Sequence, residues 1–327
     1  MRDRHDRISE RFGLLKRFSV SALLAVLLPV MVGLTGLSAT ASAAYHKGFG
    51  SDLWVKSSMG PIKNRVFRAA DGSTNRVVIA LDGLRATTDI SGWEHETEIA
   101  GALTRAGFNV VMPVGGHSSF YADWQAPSAG KFYKWESYLT GALRGALGGQ
   151  GFKTSRMAVI GLSMGGGAAV NLARWHPDMF SFASSMSGYL NTTAPGVSLG
   201  IGAAMRDEGG FDVNAMWGPP GSPAWYRNDP TVQAGALSQI GTRLWISAGT
   251  GIPGVPDFAG FDQLVNLPAA VALEALAQIQ TRAFQVAYTL AGGHNAVFSY
   301  PAIGTHRWNY WQDQVFQMIP DMRAHTG

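Results

Sequence analysis

The chain of 327 residues contains no cysteine, so no disulfide can hold it and its stability has to come from a buried core. Charge is sparse, at 15% of residues, and the net +4 is a local feature. Residues 1–44 carry six basic residues (Arg2, Arg4, Arg7, Arg11, Lys16, Arg17) against Asp3, Asp6 and Glu10, which leaves 20 basic and 19 acidic residues beyond them. No concentrated basic patch remains, which argues against a nucleic-acid surface. There is no H-E-x-x-H and the histidines are scattered, so neither a metal nor a cofactor is expected. After residue 44 the chain also lacks repeats, low-complexity tracts and charged linkers.

What is present is globular: 46% of residues are hydrophobic, enough for a large core. The basic opening leads into SVSALLAVLLPVMVGLTGL and then SATASAA, where Ala41, Ser42 and Ala43 fit an A-x-A cleavage site. Residues 1–43 read as a secretory signal peptide, leaving 44–327 as a single exported domain. The alternative is an uncleaved anchor, weakened by Pro29 and two glycines; both readings put the working part outside the cytoplasm.

Strand-like and helix-like runs alternate, the pattern of a mainly parallel sheet covered on both faces. Strands are expected at 76–83, 108–116, 157–163, 180–188, 242–250 and 283–293. Helices are expected at 96–106, 133–147, 164–175 and around 263–280. The stretch 191–240, rich in Gly, Pro and Trp, reads as an irregular inserted cap or loop region.

Gly161-Leu162-Ser163-Met164-Gly165 is G-x-S-x-G with a strand before it and a helix after it. In such an elbow the serine is strained and its neighbours must be small, so that the hydroxyl projects above the sheet as a nucleophile. The turn has neither the glycine spacing of a dinucleotide loop nor a G-K-[ST] phosphate loop. The Met164 N–H at the helix start is one oxyanion donor; ALDGLRATTD (80–89) nominates the Leu84 N–H as the second. A base and an acid should follow in the order Ser, Asp/Glu, His. His294 and His306 both qualify as base, His117 and His176 less so. Asp257, Asp262 and Glu274 qualify as acid, Glu274 standing out in the apolar run LPAAVALEALA. Asp82 and Arg85 form either a structural pair or a grip on substrate hydroxyls. LVNLPAAVALEALAQI (264–279), which contains Leu276, is a candidate wall for a long apolar substrate.

Taken together, LDGLRA (81–86), MPVGGHSSFYADW (112–124), YKWE (133–136), GLSMGG (161–166), MWGPPGSPAWYRNDPT (216–231), RLW (243–245) and AGGHNAVF…GTHRWNYW (291–311) resemble the antigen 85-type mycolyltransferases over roughly residues 45–320. These are secreted acyltransferases that act on mycolyl esters of trehalose in bacteria whose envelopes contain mycolic acids. The resemblance implies an α/β-hydrolase fold: a mainly parallel central sheet with helices on both faces and an inserted loop or cap region. It also implies a Ser163–Glu274–His306 triad, with oxyanion donors at the Leu84 and Met164 backbones. Asp82, Leu84, Arg85, Asn191, Leu276 and Trp308 fall at its substrate positions, and His294 becomes a supporting residue. Departures are a missing disulfide in a shortened loop, Asn191 for an aspartate, Ala283 for a lysine, and GLSMGG for the usual G-L-S-M-A-G. A fibronectin-binding segment is not recognisable in EIAGALTRAGFNV.

The implied reaction takes a mycolyl group from trehalose monomycolate through a seryl ester to a second trehalose monomycolate, cell-wall arabinogalactan or a protein hydroxyl. The partners are then trehalose mycolates and cell-wall glycans, with localisation secreted or at the cell envelope. Two alternatives remain: a secreted carboxylesterase using water, and a non-catalytic envelope-binding relative.

Overall fold

A computed structural model describes residues 50–327; residues 1–43, the expected signal peptide, lie outside the described residues. An eight-stranded sheet runs through the molecule in the order β1-β2-β4-β3-β5-β6-β7-β8. Its strands are β1 (Ser51–Ser57), β2 (Gly60–Phe67), β3 (Val77–Leu81), β4 (Asn109–Pro113), β5 (Met157–Leu162), β6 (Phe180–Met186), β7 (Arg243–Ser247) and β8 (Ala296–Ser299). β1 pairs antiparallel with β2, and β2 with β4. The remaining pairs are parallel. The architecture is the α/β-hydrolase type expected from the motifs.

The strands β3, β4 and β5 are buried at every position, as strands covered on both faces must be. Alternate side chains feed two separate cores. Val77, Ile79 and Leu81 join the helix Met164–Trp175, the 135–147 stretch and the region after β6. Val78 and Ala80 join Trp93, Leu103 and Phe108 with Trp311, Val315 and Met318 of the helix Trp308–His325. The period-2 geometry of a strand thus distributes one apolar run between two layers.

The structure corrects the sequence reading at four places. Residues 283–293 are not a strand: the helix Leu267–Leu290 continues through them, and the last strand is β8. Its buried positions, Ala270, Glu274, Ala277, Gln280, Thr281, Phe284 and Tyr288, recur at helical spacing. The aromatic and β-branched composition of AFQVAYTL hid that period. The hairpin β1–β2 was not anticipated. The 96–106 helix divides into Gly92–Glu96 and Ile99–Arg105, and the 133–147 helix begins at Trp135 and contains a π-helical segment, Tyr138–Leu143. Finally, 191–240 carries four helices, Val197–Gly209, Val213–Trp217, Pro223–Arg227 and Ala234–Leu237, between β6 and β7. Among the described residues no helix is long and apolar enough to cross a membrane.

Candidate active site

Ser163 stands between β5 and the helix Met164–Trp175, at φ 50° and ψ −121°. A non-glycine residue there is strained by about 1–3 kcal/mol, so its surroundings must hold it. The surroundings are backbone at close range. A Cβ on Gly161 would lie 2.1 Å from the Gly165 carbonyl oxygen, and one on Gly165 would lie 2.5 Å from that of Asp82. Helix and sheet therefore meet at glycine distance on both sides of the hydroxyl. Ser163 donates its N–H to Met186 O at 2.9 Å, and Phe120 N–H reaches Met164 Sδ at 3.1 Å.

Glu274 lies in the middle of the helix Leu267–Leu290 and is 2% exposed. Its Oε2 is 2.9 Å from His306 Nδ1. Its Oε1 accepts from Ser187 Oγ at 2.8 Å and from Gly249 N–H at 2.5 Å. Trp311 Nε1 donates to that same Ser187 oxygen at 2.9 Å, so the serine's single proton is directed at the carboxylate. The His306 ring stands edge-on to Trp311 at 4.9 Å, and its backbone N–H donates to Ala270 O at 3.1 Å. The buried carboxylate is thus compensated by three donors, one of them the imidazole.

Nothing in the local pattern marks Ser187, Gly249 or Trp311, because their roles depend on β6, β7 and the last helix meeting. Tyr189 was missed as well. Burial pushes its phenol up to about 12, opposed by a hydrogen bond with Ser163. Among the described residues no hydrogen bond joins His306 to the Ser163 hydroxyl, a looseness common in ligand-free sites.

Asp82 and Arg85 do not pair. Asp82 is buried and accepts from Gly92 N–H at 3.2 Å and Trp93 N–H at 3.3 Å. Burial raises its carboxyl to about 6 against these donors. Arg85 is half exposed and forms an ion pair with Glu208 at 2.6 Å. Trp308 stands beside Asp82: a Cβ on Gly92 would lie 2.5 Å from its ring and 3.2 Å from Asp82 Oδ1. Trp308 continues an edge-to-face run from Trp93 to Trp311, with both centroid distances 5.4 Å. Leu84 follows in the same turn, its carbonyl taken by Ser118 N–H. Leu276 lies on the Glu274 helix, half-buried, and the Asn191 N–H donates to Gln280 Oε1.

The remaining candidates lie elsewhere. His294 is exposed, precedes β8 and faces Gly292 O. His117 faces Glu208, and His176 faces Glu136. Asp262 sits in the first turn of the helix Phe261–Val265. Asp257 is wholly buried but bonds the neighbours of His306, not its ring. Gly249 to Gly254 does have the G-x-G-x-x-G spacing, but it leads into a 3-10 turn, and Gly249 N–H is engaged by Glu274.

A strained serine on a strand–helix elbow, with a buried carboxylate–imidazole pair at the same sheet, defines a serine enzyme of the α/β-hydrolase class. Residues 61–322 match the family model described as a putative esterase. The chain is 43% identical over 323 residues to the diacylglycerol acyltransferase/mycolyltransferase Ag85A of Mycobacterium leprae, spanning 96% of this chain and 95% of that one. It is 41% identical to Ag85B of Mycobacterium intracellulare, over 95% and 94% of the two chains. The crystal structure of Mycobacterium tuberculosis MPT51 superposes with a TM-score of 0.74 at 30% identity, covering 85% of this chain and 99% of that one. A serine hydrolase of Staphylococcus aureus, FphF, shares the fold at a TM-score of 0.59 and 16% identity. The chain belongs to the antigen 85 family of acyltransferases.

Proposed function

We propose that the chain transfers a mycolyl group from trehalose monomycolate to a hydroxyl acceptor, through an ester on Ser163. The observation that carries this reading is the Glu274–His306 pair at 2.9 Å, held by Ser187 directly after Met186, which accepts the N–H of the strained Ser163. His306, held by Glu274, takes the Ser163 proton as the oxygen attacks the ester carbonyl. The Leu84 and Met164 N–H groups receive the negative oxygen, each worth about 3–4 kcal/mol in the transition state. The C–O bond to trehalose breaks, and His306 returns the proton to the departing sugar oxygen. In the second half, an acceptor hydroxyl gives its proton to His306 and attacks the seryl ester; the C–O bond to Ser163 breaks, and His306 passes that proton to the Ser163 oxygen.

Asp82 and Trp308 supply a polar group and a ring face for the sugar, and Arg85 and Asn191 extend that side. Leu276, on the Glu274 helix, lines the path of the acyl chain. The acceptor is trehalose monomycolate or arabinogalactan, and residues 44–327 act as one exported unit at the cell envelope after loss of 1–43. Water as acceptor is the second reading, favoured by the match to an esterase model. Intact-mass spectrometry after incubation with trehalose monomycolate tests both readings. An acyl adduct on Ser163, absent in Ser163→Ala and discharged faster by added trehalose than by buffer, supports transfer. Equal discharge in buffer supports hydrolysis, and an adduct retained in Ser163→Ala overturns the assignment.

A further inference from the structure

His306 is flanked by two residues that hold the same carboxylate. Thr305 Oγ1 donates to Asp257 Oδ1 at 2.6 Å, and Arg307 Nε lies 3.0 Å from that oxygen as a charge pair. The other oxygen, Oδ2, accepts from Tyr310 Oη at 2.5 Å and from Gly254 N–H at 2.9 Å. Asp257 itself is 0% exposed. A carboxylate so deeply buried persists only because four groups compensate it, and three of them lie within four residues of His306.

The same carboxylate belongs to a segment of different character. Ile252, Val255, Phe258, Phe261, Leu264 and Val265 are all exposed, Val255 at 88% and Phe261 at 77%. Arg307 ties this segment a second time, donating through Nη2 to Gln263 O. Backbone bonds add to the strap: Gly251 N–H to Gly304 O at 2.8 Å, and Gly304 N–H to Ile252 O at 2.9 Å. The apolar segment and the histidine loop are therefore one mechanical unit, joined through a buried ion pair.

We propose that Asp257 is a positioning residue for His306, clamping the chain on both sides of the imidazole and coupling it to the exposed apolar segment 252–265. It touches neither substrate nor reacting atoms. It fixes the backbone from which the ring reaches Glu274, so loosening it lowers the fraction of molecules in which base and serine are aligned. The proposal rests on the reading of His306 as the base.

The test is a double-mutant cycle on hydrolysis of p-nitrophenyl butyrate, with melting temperature measured for every variant. In the wild-type background Asp257→Asn is expected to lower kcat about 30-fold with KM unchanged, somewhat less than the ~100-fold that a full 1 Å misplacement costs. In a His306→Ala background, where no imidazole remains to be positioned, the same substitution is expected to leave the residual rate unchanged. Arg307→Gln, a milder cut of the same pair, serves if Asp257→Asn does not fold, with the same dependence on background and a smaller loss. An equal proportional loss in both backgrounds, or a change in KM alone, overturns the positioning role. A His306→Ala enzyme with wild-type kcat overturns instead the reading of His306 as base.

Discussion

Replacing Gly165 with alanine tests whether the closeness of helix and sheet is what sets the nucleophile. A Cβ there would lie 2.5 Å from Asp82 O and 2.7 Å from Leu81 O. Both atoms are backbone and cannot swing aside. Comfortable contact needs about 3.5 Å, so the start of the helix has to withdraw from β3 by roughly 1 Å. Overpacking of that kind costs about 1–3 kcal/mol, offset by up to about 1 kcal/mol from the better helix propensity of alanine. The expected outcome is a fall in melting temperature of about 2–6 °C. The same withdrawal carries Ser163 and the Met164 N–H away from Leu84, so kcat for p-nitrophenyl butyrate is expected to drop about 100-fold. Gly145→Ala is the matched control, because its Cβ would meet nothing within 4 Å. It lies in the exposed helix Arg144–Gly149, and it is expected to raise the melting temperature slightly and leave kcat unchanged. A Gly165→Ala protein with wild-type melting temperature and kcat would refute the reasoning.

Glu274→Gln removes the charge that faces His306 and replaces one acceptor oxygen with a donor, against three donors already present. Its kcat is expected to fall about 10²–10⁴-fold with little change in KM, and pre-steady-state kinetics should show both acylation and deacylation slowed, because His306 moves a proton in each half. Gly92→Ala pushes a methyl to 2.5 Å from the Trp308 ring. KM for a trehalose ester should rise about tenfold, equivalent to about 1.4 kcal/mol, while p-nitrophenyl butyrate reports a smaller change. Asp82 titrates near 3.8 in the unfolded chain and at about 6 in the fold, where burial disfavours its charge. Between those values the folded state holds the extra proton, so stability falls as pH rises through the window and levels off above it. Urea titrations of Asp82→Asn and wild type should therefore differ by an amount that shifts by about 3 kcal/mol between pH 3.5 and 6.5. A constant difference would rule this out.

The sequence by itself determined the parallel sheet, the elbow and the residue types of the site. Each of these is local: apolar runs such as VVIAL and MAVIGL cannot be solvated, and a serine between glycines can stand at a positive φ where bulkier neighbours would clash. Local patterns left His294 and His306 tied, and made Glu274 stand out without excluding Asp257 or Asp262. The resemblance to antigen 85 favoured His306 and Glu274; in the fold, the helix that runs through 283–293 carries Glu274 to the end of β6, where Ser187, Gly249 and His306 converge on it. Only the tertiary structure separated Asp82 from Arg85 and set Asp257 against Thr305 and Arg307, on either side of His306. A buried polar group takes its role from the partners that compensate it, and those partners come from distant parts of the chain. Composition and spacing carry no record of which ones will meet.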